Sequence, residues 1–546
     1  MTRRQRRICG ALAATAGILV AAWLIFAFAV PAGRTSPSPL EAQIRISPAQ
    51  KSAAKKTAGA ADVPTHSASE TPDNSALPAS HRDRWQVINV DNQRVGYAHT
   101  MTSTIQQGSV SIVRTTTDEK LKIVRSGDPL EISVMLTTEE TVSGDLVSYH
   151  LQLKNPPAAP TVATGRVKGN RLEIETNVAG RKSSSWIDWQ SDVKSPAYPE
   201  RLIHTSPLKP GETRRFRVLS PEFSKIMSLE WVADRSRTVK LFDGTRQDLL
   251  AIRVTNSLTP QIPLRAYVDA SGEIHKVETE LLGKPMETYT VSAEEAMKEL
   301  SGQAFDIGLA SLVKSGVLKG GHRTTKAVYR ISIPGNDPAK SFPEGPTQHA
   351  KKVDNGTIEL TVTALAIPTL AKRIPGQPEY LMPTRFLQSD DSHVIEHARH
   401  AASGHGNPVD VAVSLEKYVH RKLAKKNFST ALASAAEVAK TLEGDCTEHA
   451  VLLAAMLRAR DIPSRVAMGL VYIEGAEAFG GHMWTEAWLD GRWIPLDATL
   501  GRGGIGAGHL KMADSSLADD APAPFSAFLP LIEVLGTIKI HVVSAK

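Results

Sequence analysis

The sequence predicts an α+β protein, with a long antiparallel β-rich region followed by a domain of mixed helices and strands. Between residues 81 and 295, short alternating runs rich in Val, Ile and Thr, such as "RLEIETNV", are separated by Asn, Asp and Gly turns. This alternation is typical of antiparallel strands. From about residue 385 apolar residues recur at helical spacing, and "NPVDVAVSLEKYVHRKLAKK" opens with residues that suit a helix N-cap and first turn.

Composition narrows the class of protein. The chain has 546 residues, of which 41% are hydrophobic, so it is long enough to bury a large core and to form several domains. Its formal net charge is +7, and four of its arginines lie in the first seven residues. Because the rest of the chain contains no basic tract, a nucleic-acid partner is not expected.

The N-terminus predicts a membrane anchor. Residues 1–7 are basic, and the 23 residues 8–30 carry no charge, a run long enough to cross a hydrocarbon core of about 30 Å. Basic residues before a span stay in the cytoplasm, so we expect a single-pass protein whose body is extracytoplasmic. An A-x-A pattern at Ala27 and Ala29 leaves a cleaved signal peptide as the alternative. Residues 31–80, rich in Pro, Ser, Ala and Lys, are predicted to be a disordered tether.

The remaining chain divides into four predicted parts. Residues 81–295 form an antiparallel β-rich domain, and residues 296–384 supply a linking helix and a second β segment. Residues 385–515 form the domain that carries the chemical motifs, and residues 516–546 a C-terminal strand region. The β-rich domain contains no evident group of catalytic residue types, so we interpret it as structural or substrate-presenting.

Cys446 is the first candidate functional residue. It is one of two cysteines, and the other, Cys9, lies in the predicted anchor, so the exported body cannot form an intrachain disulfide. Asp445 and Glu448 have the spacing of a capping box, which places Cys446 at the first position of a helix. The N–H groups there favour a thiolate, and they could also donate to an oxyanion. A buried structural cysteine is the alternative.

A second motif, "GGHMWTEAWLDGRWIPLDATLG", predicts a β-hairpin. Asp490 and Gly491 between two apolar alternating runs form a strong turn signal. Counting back from that turn puts His482 and Asp497 on the same side of the hairpin as diagonal neighbours. With Cys446, they supply the thiol, base and orienting carboxylate that nucleophilic catalysis requires.

Other polar residues in this region have structural interpretations. We predict that Glu448 is a cap rather than an acid, and that His449 packs its helix, with an approach to the site as the alternative. Glu486 is on the same face as His482 and is predicted to face solvent, with support of Asp497 as the alternative. Three histidines at helical spacing lack a strong ligand motif and are interpreted as solvated: His393, His397 and His400. Cys446, His449, His482 and Asp497 likewise have no recognised zinc-ligand spacing. No metal or cofactor is predicted.

The two motifs resemble those of the transglutaminase-like superfamily. The matching segments are "GDCTEHAVLLAAMLRARDIPSRVAMGLVY" and "HMWTEAWLDGRWIPLDAT", and the resemblance covers residues 385–515. It implies a papain-like core with a helix-borne nucleophile, Cys446, a general base and acid, His482, and an orienting carboxylate, Asp497.

The resemblance also implies a reaction class. We expect a cysteine-dependent enzyme that acts on amide or peptide bonds through a thioester, as a peptidase, an amidase or a transamidase, on protein or peptide substrates of the cell envelope. Trp484 and Gly481, on either side of His482, are predicted to contact substrate, with Trp488 and Trp493 completing an aromatic cluster around Trp484. A scaffold or binding module that keeps the fold without catalysis is the alternative function.

Overall fold

The computed structural model describes residues 82–300, 304–371, 377–429, 432–519 and 529–546. The predicted anchor and tether, residues 8–30 and 31–80, lie outside these ranges. Within the described part of the chain, no helix has both the length and the apolar character needed to span a bilayer. The architecture is α+β.

The largest element is an antiparallel sheet of fifteen strands. In spatial order it runs β8-β7-β6-β5-β4-β3-β2-β1-β15-β14-β13-β12-β11-β10-β9, and the one parallel pair joins β9 to β10. Its strands, together with helix α1 (Tyr198–Thr205), are β1 Arg82–Val90, β2 Gln93–Gln107, β3 Val110–Arg125, β4 Asp128–Thr141, β5 Leu146–Lys154, β6 Thr161–Lys168, β7 Arg171–Val178, β8 Arg181–Asp188, β9 Val193–Lys194, β10 Thr213–Ser220, β11 Lys225–Lys240, β12 Arg246–Asn256, β13 Leu264–Val268, β14 Ile274–Leu281 and β15 Lys284–Val291.

The residue pattern of the sequence explains the strands and turns of this sheet. In β4 the buried residues alternate with less buried ones, as the period of two requires. The predicted turn between β1 and β2 is present, because Asp91 and Asn92 adopt positive φ angles of 50° and 62°, the conformation of a tight hairpin turn. The predicted linking helix is only one turn, α2 (Ala293–Ala296), and Ala296 is its one buried residue. So little apolar surface cannot stabilise a longer helix.

The rest of the described chain forms two smaller sheets and a group of helices. One sheet has the order β16-β21-β20-β23, with β22 also paired to β21, and the other has the order β18-β19-β17-β24. Their elements are α3 Ile307–Ala310, β16 Val313–Lys314, β17 Lys326–Ser332, β18 Gln348–Lys352, β19 Thr357–Thr363, α4 Ser392–Ala401, α5 Pro408–Lys422, α6 Ala435–Thr441, α7 Cys446–Arg458, β20 Ser464–Ile473, β21 Ala478–Leu489, β22 Arg492–Leu496, β23 His509–Ser515, α8 Leu529–Val534 and β24 Lys539–Ala545.

Helix α7 is the centre of the mixed domain. All 13 of its residues are buried, and it packs on β21 while α4, α5 and α6 surround it. Thr485 on β21 donates to the carbonyl of Ala450 over 3.0 Å, which fixes the helix along the strand. The apolar sequence of this helix predicts such burial, because a helix that is hydrophobic on all sides has no face for solvent.

The large sheet contacts the start of α7 through Arg125, the last residue of β3. One guanidinium nitrogen of Arg125 lies 2.5 Å from Oδ2 of Asp445, and both side chains are fully buried. Nε of the same guanidinium donates to the carbonyl of Phe428 over 2.7 Å. The β-rich region therefore supplies a buried cation to the segment that precedes Cys446.

Replacing Arg125 with Met is expected to lower the free energy of unfolding by about 3–5 kcal/mol, because Asp445 then remains as a buried charge without its arginine. Arg114→Met is the matched control on the same strand. Arg114 is 45% exposed and pairs with Glu139 over 2.6 Å, and an exposed pair contributes about 0–1 kcal/mol. Chemical denaturation measures both variants. Equal losses would contradict a special role for the buried pair.

Candidate active site

Cys446 lies where the sequence predicts it. It is the first residue of α7, and Asp445 and Glu448 form the capping box in both directions. Oδ1 of Asp445 accepts from the backbone N–H of Thr447 over 2.8 Å, and Oε2 of Glu448 accepts from that of Asp445 over 3.0 Å. The thiol is free and buried, with 3% of the residue exposed.

The predicted preference of Cys446 for the thiolate is wrong for this closed site. Burial raises the pKa of the thiol well above its usual value, and the neighbouring Asp445 carboxylate raises it further. A backbone hydrogen bond from Met483 and the charge of Arg125 act in the opposite direction. A helix N-terminus contributes about 0.3–1 kcal/mol, whereas full burial shifts a pKa by up to about 3–5 units of about 1.4 kcal/mol each. Burial therefore dominates.

The predicted hairpin is confirmed, and it brings His482 to Asp497. The pairing of β21 with β22 runs from Leu489–Arg492 at the turn to Thr485–Leu496, and Asp497 is the next residue. Nε2 of His482 lies 2.9 Å from Oδ2 of Asp497, and both side chains are buried. Within the described residues, Nδ1 of His482 is buried without a hydrogen-bond partner. That nitrogen is available to exchange a proton.

A second histidine, His509, shares the same carboxylate oxygen. Nε2 of His509 on β23 lies 3.0 Å from Oδ2 of Asp497. Oδ1 of Asp497 accepts from the backbone N–H of Thr499 over 2.8 Å. Burial opposes ionisation of Asp497, but the charge and hydrogen bond of His482 and the bond of His509 outweigh it and hold the Asp497 pKa well below its usual value. Asp497 is thus a buried anion with three donors.

The sequence interpretation missed His509. It lies 12 residues beyond Asp497, on a strand that pairs with β20 rather than with the hairpin. Strand β20 lies between β23 and β21, and the pairing of these three strands brings His509 close to His482. Counting residues along the hairpin of β21 and β22 gives no information about β23. The available signal was a histidine at the start of an alternating run, "HLKMADS", which is too weak to assign a role.

His482, Asp497 and His509 also form a possible ligand set for a metal ion. One atom from each lies within 4.8 Å of the other two, and all three residues are buried. Two imidazoles and a carboxylate are a zinc-type set. A histidine that binds a metal almost always donates its other N–H to a neighbour. Nδ1 of His482 has no such partner among the described residues, whereas His509 has a backbone hydrogen bond with Gly506. His482 therefore lacks the outer-shell bond that a metal ligand usually has.

The two predicted substrate contacts lie beside His482 on β21. Trp484 is 2% exposed, and its ring lies 6.3 Å from that of His482 and 5.4 Å from that of His509, measured between centroids. Gly481 pairs with Leu470 of β20. The predicted aromatic cluster is split, because Trp488 packs on Trp493 at 5.2 Å while Trp484 packs on the histidines.

Glu486, one of the surrounding polar residues, differs from its prediction. It is 4% exposed rather than solvent-facing, and it pairs with Arg465 over 2.7 Å and with Lys511 over 2.8 Å. These two cations neutralise its charge in the sheet.

Two histidines make structural bonds. His397 is bonded to the hydroxyl of Tyr418 over 2.8 Å and to the carbonyl of Ala439 over 2.9 Å, so it links helices instead of being solvated. His449, predicted to pack its helix, lies 2.5 Å from the carbonyl of Asp445 and 2.9 Å from Nζ of Lys426.

The chain is remotely similar to several solved structures. A candidate cysteine protease from Cytophaga hutchinsonii is 18% identical, with 41% of this chain and 85% of that chain covered at a TM-score of 0.26. A β-barrel-like domain of unknown function from Brucella abortus is 6% identical, with 38% and 95% covered at 0.29. A candidate protease from Parabacteroides distasonis is 13% identical, with 62% and 64% covered at 0.17. No curated protein matches the chain at a significant level.

The family comparison is more specific. Residues 395–498 match the model of the transglutaminase-like superfamily. That segment contains α7, the hairpin of β21 and β22, and all three residues that the sequence motifs select. The similarity to the transglutaminase-like superfamily is therefore confined to the segment that contains Cys446, His482 and Asp497.

Proposed function

We propose that this domain is a papain-like, cysteine-dependent acyl-transfer enzyme that acts on a carboxamide or peptide bond. The main support for this proposal is the position of His482. His482 is bonded through Nε2 to Asp497, keeps Nδ1 free, and lies on the strand against which the Cys446 helix packs. A nucleophile, a base and an orienting group are thereby combined in one small region.

In the proposed reaction, the thiol proton of Cys446 moves to Nδ1 of His482, and Sγ attacks the carbonyl carbon of the substrate. The tetrahedral intermediate breaks its C–N bond, and His482 returns the proton to the leaving amine. Water or a second amine then attacks the thioester carbon while His482 takes its proton. The C–S bond breaks, and His482 returns the proton to Sγ. The products are an acid or a new amide, together with the restored thiol. Because Cys446 is 3% exposed, groups that cover the thiol must move before a peptide reaches it.

Whether water or an amine completes the reaction depends on which of them reaches the thioester. We propose envelope proteins or cell-wall peptides as substrates, because the N-terminal sequence predicts an exported body. The competing function is a scaffold that keeps this fold without turnover.

Cys446→Ala is expected to abolish product formation, because the thioester cannot form without Sγ. Wild-type and variant proteins are incubated with envelope extracts, with and without a labelled primary amine, and the products are compared by mass spectrometry. Hydrolysed fragments indicate a peptidase or amidase, and incorporated label indicates a transamidase. Equal products from both proteins would contradict the assignment, and the absence of any product that depends on Cys446 would favour the scaffold.

Asp497→Asn is expected to lower turnover by about 10- to 10⁴-fold, because the amide no longer selects the tautomer of His482 or stabilises its imidazolium. The melting temperature should change little, since Asn has nearly the same size. Asp514→Asn, on β23 of the same sheet, is the control, because Asp514 is 32% exposed and pairs with Arg465 and Lys511 rather than with a histidine.

The same assay tests a metal at this position. A chelator is expected to leave turnover unchanged, because hydrogen-bond donors already occupy the oxygens of Asp497. If the chelator abolishes activity and zinc restores it, or if Asp497→Asn keeps full turnover, Asp497 does not act as an orienting group.

We also propose that the body of the protein is extracytoplasmic, anchored by residues 8–30. In bacterial cells that express the full chain, protease added to intact spheroplasts is expected to digest the body, while a cytoplasmic marker protein remains whole. Digestion that requires lysis would contradict this orientation. N-terminal sequencing of the mature protein distinguishes an anchor from a cleaved signal.

A further inference from the structure

The surroundings of Cys446 disfavour a negative charge on its sulfur. Cys446 is buried next to the carboxylate of Asp445, and both burial and that carboxylate disfavour a thiolate. A nucleophilic thiol in such a place requires a nearby cation. Arg125 is already paired with Asp445 over 2.5 Å, so a second positive group is needed beside the thiol.

Lys426 is that group, and the backbone places it beside the start of α7. Its neighbour Lys425 forms a parallel β-bridge with Glu443, and the N–H of Gly444 donates to the carbonyl of Lys425 over 3.4 Å. Two adjacent, parallel segments therefore run side by side, one leading through Lys426 and the other into Cys446. The lysine side chain is partly buried.

His449 fixes the direction of the Lys426 side chain. Nδ1 of His449 faces the carbonyl of Asp445 at 2.5 Å, so this nitrogen carries the proton and donates. Nε2 is then an acceptor, and the ammonium of Lys426 donates to it over 2.9 Å. Burial lowers the pKa of His449 to about 3, which keeps the ring neutral. Because His449 follows Cys446 by three residues, it lies on the same side of α7 as the thiol.

The charge of Lys426 is not matched by a close carboxylate. The part of the chain that the structure describes contains no carboxylate oxygen within 4.0 Å of its Nζ. Burial lowers the pKa of Lys426, while the charges of Asp497, Asp445 and Cys446 oppose that effect. The ammonium therefore acts on the thiol and on both buried aspartates of the site.

We propose that Lys426, oriented by His449, is the counter-charge that stabilises the Cys446 thiolate when the thiol proton passes to His482. This inference rests on the proposed function and adds one electrostatic residue and one positioning residue to it. The proton leaves Sγ for His482, and Lys426 remains protonated throughout. A cation beside the sulfur favours the charged form of the thiol, as oppositely charged neighbours do in general.

Other titratable groups surround Cys446 and Lys426, and they must be left unchanged when Lys426 is replaced. They are Asp445 and Glu448 on or beside α7, Arg125 from the large sheet, His482 and His509 from the smaller sheet, Asp497 after the hairpin, and His420 on α5.

The test measures the alkylation rate of Cys446 by iodoacetamide between pH 5 and pH 10 in the full-length protein. The rate is read on the Cys446 peptide by mass spectrometry, because Cys9 is a second thiol. Lys426→Met is expected to move the alkylation profile to higher pH by at least about one unit and to slow labelling at pH 7 about tenfold. Lys426→Arg, which keeps the charge, is expected to restore most of the rate.

Lys425→Met is the matched control. It removes the same charge one residue away, from a side chain that is 74% exposed and paired with Glu443, and its profile should equal that of the wild type. A wild-type profile in Lys426→Met, or equal shifts in both variants, would overturn the inference. If Lys426→Met is unfolded by its melting curve, Lys426→Gln provides the same comparison while retaining a donor for His449.

A failure of this inference can be distinguished from a failure of the proposed function. Alkylation needs no substrate, so it reports on Lys426 even if no product is found. If Cys446→Ala abolishes turnover while Lys426→Met leaves alkylation unchanged, the proposed function stands and this inference alone is wrong.

Discussion

The buried ion pair between Arg125 and Asp445 is the interaction on which the site depends. Asp445 caps α7, and a carboxylate with no exposed surface requires a partner charge. The partner comes from β3, more than 300 residues earlier in the chain. The same guanidinium holds the carbonyl of Phe428, and its central carbon lies 5.8 Å from the centre of that ring. One side chain therefore positions both the helix start and the loop that contains Lys426.

This pair gives the large sheet a role that its sequence does not suggest. Further contacts join the sheet to the same loop: the N–H of Phe428 donates to Asp128 over 3.1 Å, and Asn155 donates to the carbonyl of Ser429 over 3.0 Å. The backbone of Ala159 also donates to Glu437 over 2.7 Å. The β-rich region is thus a structural support for the segments that hold Cys446 and Lys426.

The features that could be predicted from sequence are local ones. The capping box of Asp445 and Glu448 spans four residues, and the hairpin at Asp490 follows from a turn signal and a period of two. The alignment of His482 with Asp497 needs no information beyond that hairpin. The α+β class follows in the same way, from alternation in one region and helical spacing in another.

The features that could not be predicted depend on distant parts of the chain. His509 reaches Asp497 only because β23 pairs with β20, and the connection before it passes through glycines at positive φ: Gly501, Gly503 and Gly504. Lys426 lies in an irregular loop whose position follows from Arg125 and from the bridge between Lys425 and Glu443. The wrong expectation for the Cys446 thiol has the same origin. A helix N-terminus can be recognised from sequence, whereas the complete burial that outweighs it results from tertiary packing.

Charge balance links these observations to the proposed chemistry. Two buried anions, Asp445 and Asp497, face two cations, Arg125 and Lys426, around the thiol of Cys446 and the ring of His482. Transfer of the proton from Cys446 to His482 creates one further charge of each sign. The imidazolium then lies 2.9 Å from Asp497, and on our inference the thiolate lies beside Lys426. In a low-dielectric interior each new charge is costly unless an opposite charge is already in place. A site with both counter-charges prepared can form the ion pair without reorganising, whereas a buried thiol with only a helix N-terminus beside it cannot.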